Sequence, residues 1–339
     1  MNIELLKQLS NAFGVPGREE RIRDILRPEF EAAFDEVTED VMGSLIATKK
    51  NAGKPRVLIA CHIDEIGFYV RHVDDNGYLR VQNVGGFDTR NLFARRVVVA
   101  AKDGDLHGVM NPGGKPIHIA KEEDKKKIPE IQEFIIDLGL PGDEVKSKVR
   151  IGDPVTLWQE SIEVGNTVVG KCMDNRVAAW VVLEAMKKVT DCKYEVILAA
   201  TVQEEVGLRG AGPVAFATEP DLAIALDTTL CVDTPGVPSE ERVTKQGDGV
   251  AIKILDSSSI SNRAFVDELA AAADAKGVKY QFSVLPRGGT DAGAIQRSRG
   301  GVKTATLAVP TRNIHTVTEM VHKDDLQSAI DLIAAWLEA

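Results

Sequence analysis

Tyr194-Glu195-Val196-Ile197-Leu198-Ala199-Ala200-Thr201-Val202 is an apolar run that ends in Gln203-Glu204-Glu205 and then in the turn Val206-Gly207-Leu208-Arg209-Gly210. A short apolar run bounded by turn residues reads as a strand covered on both faces, the pattern of a parallel or mixed sheet between helices. Open α/β sheets place their chemistry at the carboxyl ends of such strands, and two adjacent carboxylates there repel each other unless a cation holds them. The pair therefore points to a bound metal ion.

The same texture recurs on both sides of this run. Strand patterns lie over 56–64, 221–227, 249–255, 280–285 and 304–309, and the spacing predicts helices over about 177–189, 262–275 and 323–337. Two further helical patterns, Leu5, Leu6, Leu9, Phe13 and then Ile22, Ile25, Leu26, Phe30, Phe34, flank the break Gly14-Val15-Pro16-Gly17. Between 67 and 158 the chain changes to short β-like runs broken by Asp-Asn-Gly, Gly-Gly, Asp-Gly and Pro-Gly turns. The expectation is an α/β fold with a mixed, mostly parallel sheet covered by helices over 1–66 and 168–339. A small β-rich domain would be inserted at 67–167.

With 339 residues, 44% apolar and 27% charged, the chain has the composition of a soluble globular protein. A net charge of -10 disfavours nucleic acid as a partner, because phosphate binding needs a basic footprint. No window approaches eighteen uncharged apolar residues, so no membrane span is expected. Charge within Met1–Lys7 speaks against a signal peptide. Cys61, Cys172, Cys192 and Cys231 form no C-x-x-C pair and fit reduced thiols, so a cytoplasmic protein is expected.

Polar residues cluster at the ends of the predicted strands. His62 and Asp64 are two apart and share a face while Cys61 takes the other, so the Asp64 carboxylate can orient the His62 ring. Asp174 precedes a predicted helix, where its local reading is an N-cap rather than a ligand. Asp227 ends another strand, and His315 follows the last one with Glu319 four residues on. Two histidines and several carboxylates converging on one sheet edge would form a nitrogen- and oxygen-rich pocket suited to Zn, Co or Mn. The remaining histidines, His72, His107, His118 and His322, read as surface or packing residues.

Five ordered motifs across essentially the whole chain resemble the M42 family of metallo-aminopeptidases within the dinuclear-zinc peptidase clan. They are Cys61-His62-Ile63-Asp64-Glu65-Ile66-Gly67-Phe68, residues 171–176, Val202-Gln203-Glu204-Glu205-Val206-Gly207-Leu208-Arg209-Gly210-Ala211, Gly288-Gly289-Thr290-Asp291-Ala292, and residues 310–315. The resemblance implies two divalent metal ions per subunit, Zn or Co with Mn as a further option. One would be held by His62 and Asp227 and the other by Glu205 and His315, with Asp174 bridging both. Glu204 would be the general base toward a metal-activated water, and Asp64 would orient His62.

Further implications are a substrate pocket near Arg287, Gly289, Thr290 and Asp291, an inserted domain that mediates dimerisation, and dimers that build a tetrahedral dodecamer. The implied activity is removal of N-terminal residues from short peptides. Alternatives are a carboxypeptidase or amidohydrolase resembling the M20 family, with the same metal site, or a glucanase. On a strand Glu204 and Glu205 would point apart, one to the ion and one to the water, which argues against their flanking a single glycosidic bond. The chain departs from the family pattern at Cys61 and Cys172, where alanine is usual, at Asn175, and at Asn313 and Thr316 beside the histidine. Of these, Cys172 is placed to approach the metal site.

Overall fold

A computed structural model describes residues 1–339, which divide into two units, Met1–Glu65 with Glu160–Ala339 and Ile66–Gln159. The first unit opens with helices α1 (Ile3–Asn11) and α2 (Glu20–Ala33) and strands β1 (Glu36–Glu39), β2 (Leu45–Lys49) and β3 (Arg56–His62). The second contains β4 (Gly67–Val73), β5 (Leu79–Val84), β6 (Arg95–Ala101), β7 (Gly104–Pro112), α3 (Glu122–Lys125), β8 (Phe134–Asp137), α4 (Gly142–Lys148) and β9 (Pro154–Leu157). The first resumes with β10 (Ile162–Val164), β11 (Thr167–Gly170), α5 (Met173–Met186), β12 (Glu195–Thr201), α6 (Ala211–Thr218), β13 (Leu222–Leu230) and β14 (Val250–Leu255). It closes with α7 (Arg263–Lys276), β15 (Tyr280–Val284), α8 (Ala292–Ile295), β16 (Lys303–Arg312), β17 (Glu319–His322) and α9 (Lys323–Leu337).

The expected α/β class with a mixed sheet and a β-rich insert is the observed one. Strands β12, β3, β13 and β16 run parallel at the centre of an eleven-stranded sheet, and antiparallel strands flank them. The second unit is a barrel closed in the order β4-β5-β8-β7-β6-β9, so none of these strands is left as an open edge. Within it Leu79 and Val81 are buried while Gln82 faces out, the period-two pattern of a half-covered strand. The segment 160–167, expected in the insert, lies in the first unit because β10 pairs with β11 and β11 with β17 of the large sheet.

Both faces of the parallel centre are covered, which is why its strands read as unbroken apolar runs. Val57, Ile59 and Cys61 of β3 join a core with Leu6, Leu26, Trp180 and Trp336 from the helices on one side. Leu58 and Ala60 pack against Ala211, Val214, Ala215 and Ile295 on the other. Helix α5 is buried along Val177–Ala185 and apolar there except at Glu184, and its Trp180 satisfies the indole N–H by donating to the Asn2 carbonyl at 2.8 Å. Helix α7 begins where Asn262 Oδ1 accepts the Phe265 N–H at 3.2 Å and ends at Gly277 in the left-handed region.

Register then brings the polar strand ends together. Thr201 stands opposite His62, and Ala225 stands opposite Ala60, so Asp227 and His62 each lie two residues further along the same edge.

Candidate metal centre

His62 is the last residue of β3, and its parity with Leu58 and Ala60 turns it away from the Cys61 side. Its Nε2 lies 3.2 Å from Asp174 Oδ1 and 3.7 Å from Asp227 Oδ1. On the other side of Asp174, His315 Nε2 lies 3.6 Å from Asp174 Oδ2 and 3.3 Å from Glu205 Oε1. The two donor groups, His62 with Asp174 and Asp227, and Asp174 with Glu205 and His315, each have their ligand atoms within 4.8 Å of one another. Asp174 belongs to both groups, with one oxygen toward each imidazole. Imidazole nitrogen and carboxylate oxygen without thiolate is a donor set that suits Zn, Co or Mn.

Asp174 is no N-cap. Asp174 and Asn175 are both off the helix, at φ -78°, ψ 102° and φ -128°, ψ 31°, so the regular turns of α5 begin only after them. Both groups that fix its backbone and that of His315 come from one side chain, since Glu319 accepts the Asp174 N–H at 2.9 Å and the His315 N–H at 2.7 Å. The sequence offered only a weak sign of this, an acid four residues beyond a histidine.

Strand alternation does not set the directions of Glu204 and Glu205, contrary to expectation. Regular strand ends at Thr201, and Gln203 takes φ +57°, so the chain turns before the two carboxylates. Both consequently face the pocket, Glu205 toward His315 and Glu204 Oε2 at 3.9 Å from His62 Nε2. A Cβ at Gly210 would lie 2.5 Å from the Val202 carbonyl oxygen, so the return of the turn needs glycine. Asp64 holds the turn from below, its two oxygens accepting the N–H groups of Glu204 at 3.0 Å and Glu205 at 3.1 Å. The same carboxylate stands 3.5 Å from His62 Nδ1, a buried nitrogen without a hydrogen-bond partner.

Electrostatics follow from crowding these acids. Burial acts to lower the His62 pKa, but Glu204, Asp174, Asp227 and Asp64 outweigh it and hold the imidazole well above its ordinary value. For His315 burial is likewise outweighed, by Glu205, Asp174 and Glu319, and the pKa rises to about 10. Burial raises Glu204 well above the carboxylate range despite His62, with Asp227 and Glu205 adding to the rise. Glu205 and Asp227 are also raised by burial against the pull of their imidazoles, whereas for Asp174 the two imidazoles overcome burial and lower it. This excess of carboxylate charge must be met by protons or by a cation.

Cys172 does not approach the metal groups. Its thiol donates to Glu65 Oε2 at 2.7 Å, in a buried cluster where that oxygen also accepts from Lys171 Nζ at 2.7 Å, and Glu65 Oε1 accepts from Arg176 Nη2 at 2.9 Å. Burial would raise the Glu65 carboxyl, but Lys171 and Arg176 more than offset it and hold it below the ordinary range. Arg176→Met strands Glu65 with one cation fewer and is expected to lower the unfolding free energy of metal-free protein by about 3–5 kcal/mol in a urea titration. A loss under about 1 kcal/mol would mean that the cluster behaves as a solvated surface pair.

The expected substrate residues divide. Asp291 is buried beneath the His62 edge, its Oδ2 accepting from Thr201 Oγ1 at 2.5 Å, and burial pushes its carboxyl up to about 7. Thr290 is buried and its N–H donates to Ser258 Oγ at 3.2 Å, while Gly289 has Ser258 packed where a Cβ would stand. Arg287 is exposed. His107 packs edge-on to Trp158, and His322 caps α9, so neither joins the centre.

Comparison with known proteins gives a family match and full-length relatives. The model of the M42 glutamyl aminopeptidase family matches residues 43–332. A putative aminopeptidase of Acetivibrio thermocellus is 36% identical over 97% of this chain and 96% of the relative, and a lysyl aminopeptidase of Pyrococcus furiosus is 31% identical over 99% and 96%. Among solved structures, an aminopeptidase of the archaeon Desulfurococcus kamchatkensis superposes with a TM-score of 0.94 at 36% identity, covering 99% of this chain and 94% of that one. The TET1 peptidase of Pyrococcus horikoshii, described as assembling into a tetrahedron or a large octahedral shell, superposes at 0.88 with 32% identity over 99% and 98%.

Proposed function

Because this chain belongs to the M42 glutamyl aminopeptidase family, we propose that it is a dinuclear metal-dependent exo-aminopeptidase acting on short peptides. The observation that carries the metal reading is Asp174, whose two oxygens face two different imidazoles 3.2 and 3.6 Å away. His62 and Asp227 would hold one divalent ion, Glu205 and His315 the other, and Asp174 both. When bound, such ions polarise the scissile carbonyl and bring the pKa of water toward neutrality.

The chain's own groups supply the proton handling. Glu204 belongs to neither donor group, borders both, and has its proton affinity raised by burial. It takes the proton from the attacking water and delivers it to the leaving amine. Asp64 orients the His62 ring and, through its hold on the Glu204 and Glu205 N–H groups, the base as well.

The assembly and setting complete the reading. The barrel unit 66–159 would mediate dimerisation, and dimers would build a tetrahedral dodecamer, as the tetrahedral relative supports. No helix is long and apolar enough to cross a membrane, which agrees with the cytoplasmic setting proposed for it. Members of this group carry lysyl as well as glutamyl names, so side-chain preference is read separately from the reaction. Unblocked peptides should release free amino acids, chelation should abolish the release, and zinc or cobalt should restore it. Activity that persists after exhaustive metal removal, or equal cleavage of an N-acetylated peptide, would refute the proposal.

A further inference from the structure

Glu319 stands on β17 where the alternation of the strand calls for an apolar residue. The register sets Val321 opposite Val168 and Glu319 opposite Gly170, and Glu319 and Val321 are buried while Met320 and His322 are partly exposed. Val321 and Val168 belong to the apolar core. Glu319 shares their face and is 2% exposed, so it buries a carboxylate, which costs free energy unless its oxygens find donors.

The donors are two backbone N–H groups, each from a residue of the candidate metal centre. Oε2 accepts from Asp174 at 2.9 Å and Oε1 from His315 at 2.7 Å. Both segments are irregular at these points. Asp174 departs from helical geometry with ψ 102°, and His315 takes φ +64°, a left-handed conformation that a non-glycine residue keeps only where its surroundings hold it.

The two donor groups differ in what fixes their backbones. His62 and Asp227 lie on strands β3 and β13, where pairing with Thr201 and with Ala308 holds them. Asp174, Glu205 and His315 form the other group, and none of the three lies on a strand. The Glu205 N–H ends on Asp64, and those of Asp174 and His315 both end on Glu319.

We propose that Glu319 is a positioning residue, which does for Asp174 and His315 what strand pairing does for His62 and Asp227. Its oxygens are occupied by the two N–H groups, so it acts through the backbones and not as a ligand. The zinc arm of its test rests on the proposed function, while the exchange arm does not.

Hydrogen exchange of metal-free protein, followed by mass spectrometry, supplies the exchange arm. In Glu319→Ala the peptides covering 172–176 and 313–317 should both exchange more than about ten-fold faster, while β3 and β13 keep their protection. Glu319→Gln has one acceptor oxygen for two N–H groups, so at least one of the two peptides should still exchange faster. Val321→Ala trims core packing on the same strand but leaves both bonds, and both peptides should stay within about three-fold of the parent.

Zinc binding, titrated against a competing chelator, supplies the second arm. Glu319→Ala should weaken the Asp174, Glu205 and His315 group by about 10–100-fold, as loss of a group that orients ligands does, whereas Val321→Ala should not. His315→Ala removes a donor from that group alone and so identifies which zinc affinity belongs to it. Four results overturn the proposal: parent-like exchange of both peptides in either Glu319 variant, acceleration that extends equally through β3 and β13, unchanged zinc affinity in Glu319→Ala, or equal weakening in Val321→Ala. If the parent protein binds no zinc, the dinuclear reading falls, and the exchange result still decides the role of Glu319.

Discussion

Glu204→Gln is expected to lower kcat on an unblocked peptide by about 10³-fold, within the 10²–10⁴ that a positioned general base contributes, with metal content and KM close to the parent. The amide keeps the size of the side chain and leaves the Glu204 N–H on Asp64, so the turn stays in place. What it removes is the proton acceptor bordering His62, in a residue that belongs to neither donor group. Steady-state kinetics with metal analysis of the same preparation separates the two quantities. Unchanged turnover would take the role of base away from Glu204, and loss of metal in step with activity would make it a ligand instead.

Asp174→Ala should have the largest effect on metal binding, because one carboxylate is shared by both donor groups. Bound zinc after dialysis should fall from about two ions per chain to less than about one, since each group is left with only two protein donors. Affinity should drop by more than about 100-fold, beyond what loss of a merely supporting group costs. His315→Ala is the contrast, since it removes a donor from one group alone and should leave the His62 and Asp227 side occupied. Equal ion counts for the two variants would show that Asp174 does not join the groups.

Much of the frame was legible in sequence because it rests on local periodicity. The runs at 56–64 and 194–202 have both faces apolar because both faces of the strand are covered, and the C-terminal helix predicted over 323–337 is α9. Strands β2 and β17 were not foreseen. They are four to five residues long, and their place is set by pairing with β12 and with β11 and β16 rather than by any pattern of their own. The insert boundary shifted for the same reason, as the hairpin of β10 and β11 takes its identity from a partner near the C-terminus.

At the candidate site, His62, Glu204, Glu205, Asp227 and His315 stood out in the chain as polar residues at the ends of apolar strands, whereas Asp174 read locally as an N-cap and joined them only through the family resemblance. Their aim could not be read from the chain. Glu204 and Glu205 turn into one pocket because Gln203 is left-handed and because Asp64, 140 residues earlier in the chain, captures the N–H groups beyond it. Cys172 looked placed to meet a metal and instead donates to Glu65, 107 residues away, beside Lys171 and Arg176. Glu319 gained its part only through the backbone N–H groups of nearby His315 and of Asp174, 145 residues earlier in the chain. Sequence by itself thus determined which of the longer apolar strands and helices form and which side chains end them, since hydrophobic period and residue chemistry are local. Tertiary structure alone decided where those side chains point, because past the end of a strand the backbone direction is set by hydrogen bonds from residues far away in the chain.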